Sequence, residues 1–427
     1  MQLDPTPDRD DDAGRPSDTP APSGDGAFGN GAGVEALIAG AGATQASLLT
    51  DARVALVHDW LPVFGGAERV LGEMIGLLPQ SDLFTLIDNV PQEDRAFLRD
   101  KEVRTSFIQN MPFARRHYRH YLPLAPLAIE TFDLRNYDVV VSSSYVVAKG
   151  VLTSPDQLHL SYVHSPIRYA WDLQATYLEQ AGLVRGPRSL AARLILHYLR
   201  LFDAVSASRV DHFVANSRHV AKRIRKTYRR DCDVVHPPVD TEAFSPVDRK
   251  DGYYVTASRL VPYKRVDLIA RAFAAMPDKE LIIIGDGPEM KRVQAAAGPN
   301  VTVLGQQPFE VVRHYLQHAR AFVFAAEEDF GIAPVEAQAC GTPVIAFGRG
   351  GVTETVIDGE TGLFFGEQRV EALCAAVMRF DRIRDSFSPE RIRSQAERFS
   401  RAAFRESFGA VLERETRRHR LGLHEAI

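Results

Sequence analysis

The stretch Ala325-Ala-Glu-Glu-Asp-Phe-Gly-Ile-Ala-Pro-Val-Glu-Ala-Gln-Ala-Cys-Gly-Thr-Pro-Val344 places two carboxylates, Glu328 and Glu336, eight residues apart. The apolar residues before it predict a buried strand, and a helix is expected from about Ile332 to Gly341, a usual helix stop. Glu328 then lies on a loop at the carboxyl end of a strand, whereas Glu336 lies inside the following helix. A strand, a loop and a helix in this order are typical of a parallel α/β sheet.

The start of this predicted helix is a candidate phosphate site. The backbone N–H groups of Phe330, Gly331 and Ile332 face outward at a helix N-terminus, where an anion is favoured. Carboxylates that bind hydroxyl groups, beside donors that suit a phosphate, describe a site for a sugar nucleotide. Taken alone, the two glutamates are also explained as an exposed loop residue and a solvated helix residue.

The chain is long enough for two domains. Its 427 residues exceed the ~250–300 residues at which single cores stop growing. Hydrophobic residues make up 45% of the chain and charged residues 25%, as in ordinary soluble globular proteins. The net charge of the whole chain is -4. Residues 1–51 hold nine acids and two bases, so the remaining residues carry a net charge of +3. A mildly basic body suits anionic ligands, and we expect no nucleic-acid partner.

The three cysteines, Cys232, Cys340 and Cys374, lie far apart in the sequence. Because they show no paired spacing, a reduced, cytosolic protein explains them most simply. No apolar run approaches the ~18–20 residues that cross a bilayer, and the amino terminus lacks the basic and apolar regions of a signal peptide. We therefore expect a cytoplasmic protein.

Short β-branched runs alternate with longer amphipathic stretches, which predicts right-handed βαβ units and parallel sheets. A first set of strands is expected at Val54–Trp60, Leu83–Ile87, Asp138–Ser144, Leu158–His164, His212–Ala215 and Val234–Val235. A second set is expected at Tyr253–Ala257, Leu281–Ile284, Val301–Leu304, Ala321–Ala325, Pro343–Phe347 and Leu363–Phe365. The predicted fold class is α/β, with two doubly wound, Rossmann-like domains that face each other across a cleft.

The decisive stretch also carries a family resemblance. Its acid-Asp-Phe-Gly-Ile, Glu-Ala and Ala-Cys-Gly-Thr-Pro-Val segments resemble the Glu-x7-Glu signature of the retaining family 4 glycosyltransferases, which have the GT-B fold. The resemblance extends over roughly residues 53 to 415 and is strongest in the second half. It implies a cleft in which a nucleotide sugar binds between the two domains.

With this resemblance, the chain divides into four parts. We expect an acidic, disordered tail at 1–51, because its composition buries little apolar surface, and an acceptor-side domain at 52–240. The proline-rich segment Pro237–Pro246 is the predicted hinge. A nucleotide-sugar-binding domain is expected at 250–395. Residues 396–427 are expected to form a helix that packs back on the N-terminal domain, as in similar enzymes.

Two glycines, Gly65 and Gly66, stand between the first predicted strand and a helix, where the backbone can approach a ligand closely. A plain tight turn requires glycine as well. In the resembling family this loop contacts the diphosphate and the transferred sugar, so both glycines are candidate donor-binding residues. Glu68 is a weaker, acceptor-side candidate, and His58 is better explained as a structural residue.

The segment Ser258-Arg259-Leu-Val-Pro-Tyr-Lys264-Arg265 is similar to a family motif whose Arg and Lys hold the nucleotide diphosphate. Two such cations can hold both phosphates and stabilise the leaving group, so Arg259 and Lys264 are candidate catalytic and donor-binding residues, and Ser258 is a donor-binding candidate. The alternative is a solvated loop. Arg265 stands where the family usually has glycine. We expect no metal site and no cofactor besides the donor.

The remaining candidates come from the resemblance. His164, at a predicted strand end, matches a histidine beside the transferred sugar and is a candidate catalytic residue together with Glu328, although a structural histidine is the alternative. Arg168 and Asp172 are candidate acceptor-side residues. The donor site also includes Gly285 and Gly287 beside the nucleoside, Val303 beside the base, Glu336 on the ribose, and the Phe330, Gly331 and Ile332 amides.

Basic residues mixed with apolar ones indicate a membrane-facing surface. Arg115, Arg116 and Arg119 precede an aromatic and aliphatic run, and four arginines flank a second apolar stretch: Arg185, Arg188, Arg193 and Arg200. Such surfaces attract anionic headgroups. We therefore expect peripheral association with the cytoplasmic face of the inner membrane.

The sequence thus predicts a metal-independent, retaining hexosyltransferase. Similarity to bacterial mannosyltransferases of exopolysaccharide and O-antigen assembly implies GDP-mannose as the donor and a lipid-linked oligosaccharide as the acceptor. A nucleotide-sugar epimerase or a pyridoxal-phosphate-dependent phosphorylase of the same architecture is one alternative. A non-catalytic scaffold that binds nucleotide sugar is another.

Overall fold

Two parallel sheets form the framework of the protein. The structure, a computed structural model, describes residues 52–247 and 249–423, and the predicted tail at 1–51 lies outside the described residues. The first sheet contains β1 (Val54–His58), β2 (Asp82–Thr85), β3 (Val103–Thr105), β4 (Val139–Ser144), β5 (Leu158–Val163), β6 (His212–Ala215) and β7 (Asp233–Val234). The second contains β8 (Tyr254–Ala257), β9 (Leu281–Ile284), β10 (Val301–Gly305), β11 (Ala321–Phe324), β12 (Val344–Phe347) and β13 (Gly362–Phe365).

The strand order in both sheets is that of a doubly wound fold. It is β3-β2-β1-β4-β5-β6-β7 in the first sheet and β10-β9-β8-β11-β12-β13 in the second, and neighbouring strands pair in parallel. The winding reverses beside β1 in one sheet and beside β8 in the other. Such reversals open a crevice at the carboxyl ends of the strands. The predicted pair of Rossmann-like domains is confirmed.

Helices connect the strands along the chain. They are α1 (Gly66–Leu77), α2 (Ala114–His117), α3 (Ala125–Glu130), α4 (Gln174–Gln180), α5 (Pro187–Ser206), α6 (Arg218–Tyr228), α7 (Val266–Ala274), α8 (Met290–Ala296), α9 (Phe309–His318), α10 (Ile332–Ala339), α11 (Val352–Thr355), α12 (Val370–Ile383), α13 (Pro389–Glu397) and α14 (Arg401–Arg420). Among the described residues, none of the helices has the length and apolar character needed to span a bilayer.

Each predicted strand is present, and its ends lie within two residues of the predicted ones. Edge strand β3 was not predicted, since three residues are too few to show a period. The first strand ends at His58 and not at Trp60, because the next residue, Asp59, turns its carboxylate to the loop after β4. Within the predicted segment 396–427 the helix begins at Arg401, and the Ser400 side chain caps it by accepting a hydrogen bond from the Ala403 N–H.

Alternate residues of each central strand enter different hydrophobic clusters. Val54 and Leu56 of β1 face one side of the first sheet, while Ala55 and Val57 face the other, as expected where both faces of a parallel sheet are covered. The cluster around Leu56 also contains side chains of the last helix, α14: Phe404, Phe408, Val411 and Leu412. The end of the described chain therefore completes the core of the first domain.

Candidate active site

The glycine loop of the first domain lies directly against the helix start of the second. A Cβ atom added to Gly66 would lie 3.0 Å from Ile332 Cδ1. Gly65 precedes α1, and its N–H donates to Glu68 Oε2 at 3.1 Å. The structure therefore brings Gly65, Gly66 and Ile332 together across the cleft, at the carboxyl ends of β1 and β11.

Gly331 forms the turn that starts α10. Its φ of 92° lies in the left-handed region, which glycine adopts without the steric cost that a Cβ brings. The preceding residue, Phe330, buries its ring against His236 and Phe399. The Phe330 side chain therefore belongs to the core, and the predicted role of the three amides stays a prediction.

Lys264 and Glu328 meet in the cleft. The Lys264 ammonium contacts Glu328 Oε1, and the two side chains are 16% and 15% exposed. The ammonium also lies 5.9 Å from the centre of the Phe324 ring. Burial, and secondarily the Arg168 guanidinium, lower the pKa of Lys264 to about 7, while the Asp329 carboxylate opposes this shift. Lys264 is therefore a poorly solvated cation beside a carboxylate, and its contact with the donor diphosphate stays a prediction.

Glu336 forms an ion pair that sequence reasoning did not anticipate. Its Oε1 lies 2.7 Å from Arg69 Nη1, so the pair joins α10 of the second domain to α1 of the first. Arg69 was not a predicted site residue, because its role depends on a partner 267 residues away. A cavity of about 550 Å³ lies beside this pair and is lined by aromatic residues of both domains: Phe64, Phe97, Phe244 and Phe309.

The loop after β8 packs against the loop after β9. A Cβ at Gly285, whose φ is 135°, would collide with the Ser258 carbonyl oxygen, and the Leu260 N–H donates to the Asp286 carbonyl at 2.9 Å. Only glycine permits this approach. The structure therefore brings Ser258 and Gly285 together, with Gly287 likewise packed against Leu260.

Arg259 lies beside a group of basic residues of the first domain. Its side chain lines a cavity of about 520 Å³ together with basic residues of the first domain: Arg115, Arg116, His117, Arg119 and His120. The lining residues of that cavity include neither Lys264 nor Glu328. The joint action of Arg259 and Lys264 on one diphosphate stays a prediction. Val303 lies half-buried in β10, next to an irregularity of the strand pairing.

His164 ends a chain of buried polar side chains. Its Nε2 lies 2.8 Å from Ser143 Oγ, which lies 3.0 Å from His58 Nδ1. Burial and the neighbouring His58 lower the pKa of His164 to about 3, so its ring is neutral at ordinary pH. His58 is fully buried, as expected of a structural residue, but Ser143 connects it directly to the candidate catalytic histidine.

Arg168 and Asp172 belong to a network of ion pairs between the domains. Arg168 Nη1 lies 3.3 Å from Asp329 Oδ2, and Arg223 Nη1 lies 2.8 Å from Asp329 Oδ1. Arg223 also binds Asp172. Asp329 follows Glu328 directly, so this network holds the Glu-x7-Glu loop against the first domain. The acceptor role of Arg168 and Asp172 stays a prediction.

Asp59 was also missed by sequence reasoning, although it shapes the first domain's side of the cleft. Its buried carboxylate accepts four backbone hydrogen bonds, from Tyr145, Val146, Val147 and Ala148, at 2.6–2.8 Å. An Asp at a strand end, directly before Trp60, was the signal that could have identified it. Its four partners are distant in sequence and were not predictable.

One group among the described residues has the side chains of a metal site. His212, Asp233 and Glu415 offer ligand atoms within 4.8 Å of one another. Arg414 contacts both carboxylates, so the acids already have a cationic partner. The group lies on β6, β7 and α14, and it contains none of the predicted site residues.

Two family models match the chain. The model described as Glycosyltransferase Family 4 matches residues 64–243, and the model described as Glycosyl transferases group 1 matches residues 240–399. The matches run without a gap from the glycine loop to the end of α13. They include each of the predicted site residues.

Curated relatives match the chain over shorter segments. A D-inositol 3-phosphate glycosyltransferase of Mycobacterium marinum is 30% identical over 192 residues, which are 39% of this chain and 41% of the relative. A GDP-mannose-dependent alpha-(1-6)-phosphatidylinositol monomannoside mannosyltransferase of Mycolicibacterium smegmatis is 33% identical over 195 residues, or 38% of this chain and 50% of the relative. The matched segments thus span half or less of these relatives.

Solved structures match nearly the whole described chain. Anabaena HepE, solved in complex with UDP, has a TM-score of 0.62 at 16% identity and covers 85% of this chain and 100% of its own. Sucrose-phosphate synthase from Thermosynechococcus elongatus has a TM-score of 0.63 at 19% identity. It covers 85% of this chain and 98% of its own. At these identities the likeness shows the fold alone, and it confirms the predicted GT-B arrangement.

Proposed function

Since the chain belongs to the family 4 glycosyltransferases, we propose that it moves a hexose from a nucleotide sugar to an acceptor hydroxyl, with retention at the anomeric carbon. The observation that carries this proposal is the meeting of Gly66 with Ile332 beside the Lys264–Glu328 pair. Backbone donors, a dehydrated cation and a carboxylate are then within one cleft. These are the groups that a sugar diphosphate needs.

In the proposed reaction, Lys264 and the amides at Gly331 and Ile332 bind the donor diphosphate. The bond from the anomeric carbon to the phosphate oxygen breaks, and its electron pair stays on the diphosphate, whose charge Lys264 stabilises. The acceptor oxygen bonds to the same carbon, and its proton passes to a phosphate oxygen. Glu328, released from Lys264, accepts hydrogen bonds from hydroxyls of the sugar.

GDP-mannose is the proposed donor. The relative from Mycolicibacterium smegmatis is named as GDP-mannose-dependent, and the HepE complex contains UDP, so both bases belong in the test. Glu336 is proposed to bind the ribose with its second carboxylate oxygen while Oε1 keeps the Arg69 contact.

The acceptor is proposed to carry phosphate groups, as a lipid-linked oligosaccharide does. The cavity of about 520 Å³ beside the glycine loop is lined by four arginines, Arg115, Arg116, Arg119 and Arg259, and its described lining contains no acidic side chain. Arginine pairs well with phosphate oxygens. An acceptor diphosphate in this cavity would lie next to the loop that holds the transferred sugar.

Helix α5 is proposed to bind the anionic membrane that supplies such an acceptor, at its cytoplasmic face. Five apolar side chains of this helix are 44–61% exposed and recur every three or four residues: Leu190, Leu194, Tyr198, Leu201 and Val205. Arg188 and Arg193 are exposed on the same helix, and its one acid, Asp203, is buried. An apolar helix face flanked by arginines fits anionic lipid.

Vesicle sedimentation tests this surface. The wild-type protein is expected to bind vesicles with anionic lipid more than neutral ones, and replacing Leu194 and Leu201 by Glu is expected to abolish binding. Met378→Glu, at a side chain 52% exposed in the second domain, is the matched control. Equal binding of the double variant would contradict the surface, as would a dimer in solution that this variant dissociates.

A donor panel tests the activity. We expect transfer or slow donor hydrolysis with GDP-mannose, UDP-glucose or UDP-galactose, and a ~10²–10³-fold loss of kcat/KM in Lys264→Ala. Lys226→Ala, at an exposed lysine of α6, is the control and is expected to keep wild-type rates. Addition of a chelator is expected to leave the rate unchanged. Equal turnover by Lys264→Ala would reject the role of this lysine.

The same panel separates the alternatives. An epimerase would change the donor sugar without any acceptor, and a phosphorylase would require pyridoxal phosphate and release a sugar phosphate. A scaffold would bind a nucleoside diphosphate without turnover of any donor.

A further inference from the structure

The glycine loop is connected to His164 by three polar side chains: Glu68, His58 and Ser143. Ser143 Oγ lies 2.8 Å from His164 Nε2 and 3.0 Å from His58 Nδ1. The other nitrogen of His58, Nε2, lies 3.8 Å from Glu68 Oε1 and has no hydrogen-bond partner within the described chain. Glu68 Oε2 accepts the Gly65 N–H. His58, Ser143 and Glu68 are each at most 5% exposed, so they act on one another and not on water.

The number of protons on these side chains allows two arrangements of their hydrogen bonds. A serine hydroxyl has one proton, so Ser143 donates to one imidazole and accepts from the other. If Ser143 donates to His164 Nε2, a neutral His58 must donate from Nδ1, and its Nε2 carries a lone pair. If Ser143 instead donates to His58 Nδ1, then His58 carries its proton on Nε2 and His164 donates from Nε2. Both arrangements place a single proton on His58.

Glu68 distinguishes these arrangements. In the first, the lone pair of His58 Nε2 faces a buried carboxylate, and two acceptors without a proton between them repel each other. In the second, the Nε2 proton of His58 points to the Glu68 carboxylate. The field of Glu68 therefore favours the second arrangement, in which His164 has its proton on Nε2.

We propose that Glu68, His58 and Ser143 are positioning residues, which hold the proton of His164 on Nε2 and leave His164 Nδ1 as a hydrogen-bond acceptor. Among the described residues, no group hydrogen-bonds this Nδ1, and the atom is not sealed from solvent. It is therefore available to a ligand. Resting on the proposed function, the ligand group is a hydroxyl of the transferred sugar.

The fixed tautomer has a chemical consequence. Positive charge develops at the anomeric carbon when the glycosidic bond breaks. A hydroxyl that donates its proton to His164 Nδ1 becomes richer in electrons and stabilises this charge, whereas a hydroxyl that accepts a proton from the ring becomes poorer. A neutral ring with a free lone pair thus assists the reaction, and the opposite tautomer or an imidazolium opposes it.

Nitrogen NMR of the full chain, labelled with ¹⁵N-histidine, tests the tautomer without any sugar. The signals of His164 are assigned from their loss in His164→Gln. In the wild-type protein we expect a protonated Nε2 and an unprotonated Nδ1 on His164. Glu68→Gln keeps the shape of the side chain but can donate to His58 Nε2, so it is expected to move the His164 proton to Nδ1.

Serine variants supply a second, independent readout. Ser143→Ala removes the connection and is expected to give a mixture of His164 tautomers, whereas Ser143→Thr restores the hydroxyl and is expected to restore the Nε2 proton. With an active donor, Glu68→Gln is expected to lower kcat about tenfold while the donor KM changes less than about threefold. Unchanged dispersion of the remaining histidine signals shows that each variant is folded.

Three results would overturn the proposal. They are a wild-type His164 protonated on Nδ1, a doubly protonated His58 in the folded protein, and a His164 tautomer that Glu68→Gln leaves unchanged. Failure of every nucleotide sugar in the donor panel would instead overturn the proposed function. The tautomer measured without sugar is independent of that result.

Discussion

The two sheets of this protein bury different side chains. In the first, β4 carries three consecutive buried serines, 142–144, and His58 and His159 lie buried in the neighbouring strands. In the second, β9, β11 and β12 are apolar throughout, and Thr256 of β8 is the buried polar residue of its described strands. Because buried polar groups require partners, the first sheet fixes its cleft through hydrogen bonds between strands. The second sheet holds its candidate donor groups on the loops that follow its strands.

The largest effect that would test this difference is expected at Asp59. Asp59→Asn replaces one acceptor oxygen by an amide that confronts backbone donors, so two of the four buried N–H groups lose their partner. We expect a loss of about 4 kcal/mol in the free energy of unfolding of the first domain, measured by denaturant titration.

The matched substitution in the second sheet is Thr256→Val, which removes a hydroxyl at constant volume from the strand corresponding to β1. It is expected to cost less than about 1 kcal/mol. Equal losses of unfolding free energy for the two variants would contradict this difference. Buried polar groups would then stabilise the first sheet no more than the second.

A smaller effect is expected from the buried cation of the first domain. Lys149 pairs with Asp203, and both side chains are at most 1% exposed. Lys149→Met is expected to lower the free energy of unfolding by about 3 kcal/mol, because it leaves a buried carboxylate without its cation. The Trp171 and Tyr228 donors to Asp203 limit the loss.

The comparison in the second domain is Lys279, which pairs with Asp381 at 2.7 Å and is 21% exposed. Lys279→Met is expected to cost less than about 1 kcal/mol, since water replaces a partly exposed partner. Thermal unfolding of both variants measures the difference, and a larger loss at Lys279 would reverse the comparison.

In the second domain, the polar group Lys264 is expected to affect the affinity for a ligand. Because the pKa of Lys264 is about 7 in the free protein and a bound diphosphate raises it, affinity for a nucleoside diphosphate falls as pH rises above 7. Between pH 7 and 9 we expect at least a tenfold weakening by titration calorimetry. Lys264→Arg, which stays charged, is expected to show a flat profile, and a flat wild-type profile would contradict the assignment.

The smallest effect is expected at two arginines with left-handed backbones. Arg229 ends α6 in the first domain with φ 57°, and Arg265 precedes α7 in the second with φ 54°. Glycine relieves the strain but makes the unfolded chain more flexible, so each Arg→Gly variant is expected to change the free energy of unfolding by less than about 1 kcal/mol. A greater loss at Arg265 would mean that its contact with Gln368 at 3.3 Å is important.

The same comparison explains what the sequence could predict. The strands of the second sheet are short apolar runs separated by glycines and charged residues. For this reason the predicted first and last residues of Leu281–Ile284 are the observed ones. The glycine loop and the Glu-x7-Glu helix were also located, because each depends on residues close together in sequence. Edge strand β3 offered no such pattern.

The polar network of the first domain was predictable only in part. His164 was identified through a family resemblance. In the sequence, Ser143 is an ordinary strand serine and Asp59 an ordinary acid after a strand, because their partners are close only in the folded protein. Arg69 has the same difficulty, since its partner is in the other domain. Hydrogen-bond partners that are distant in sequence leave no periodic signal, and they make up most of what was missed.

The packing of α14 into the first domain has a consequence for the order of folding during synthesis. Phe404, Phe408, Val411 and Leu412 complete a cluster whose other members begin at Ala52. The ribosome must therefore translate the whole second domain before the first can finish its interior. The second domain, encoded later, is expected to reach its native state earlier, which reverses the usual amino-terminal-first sequence of events.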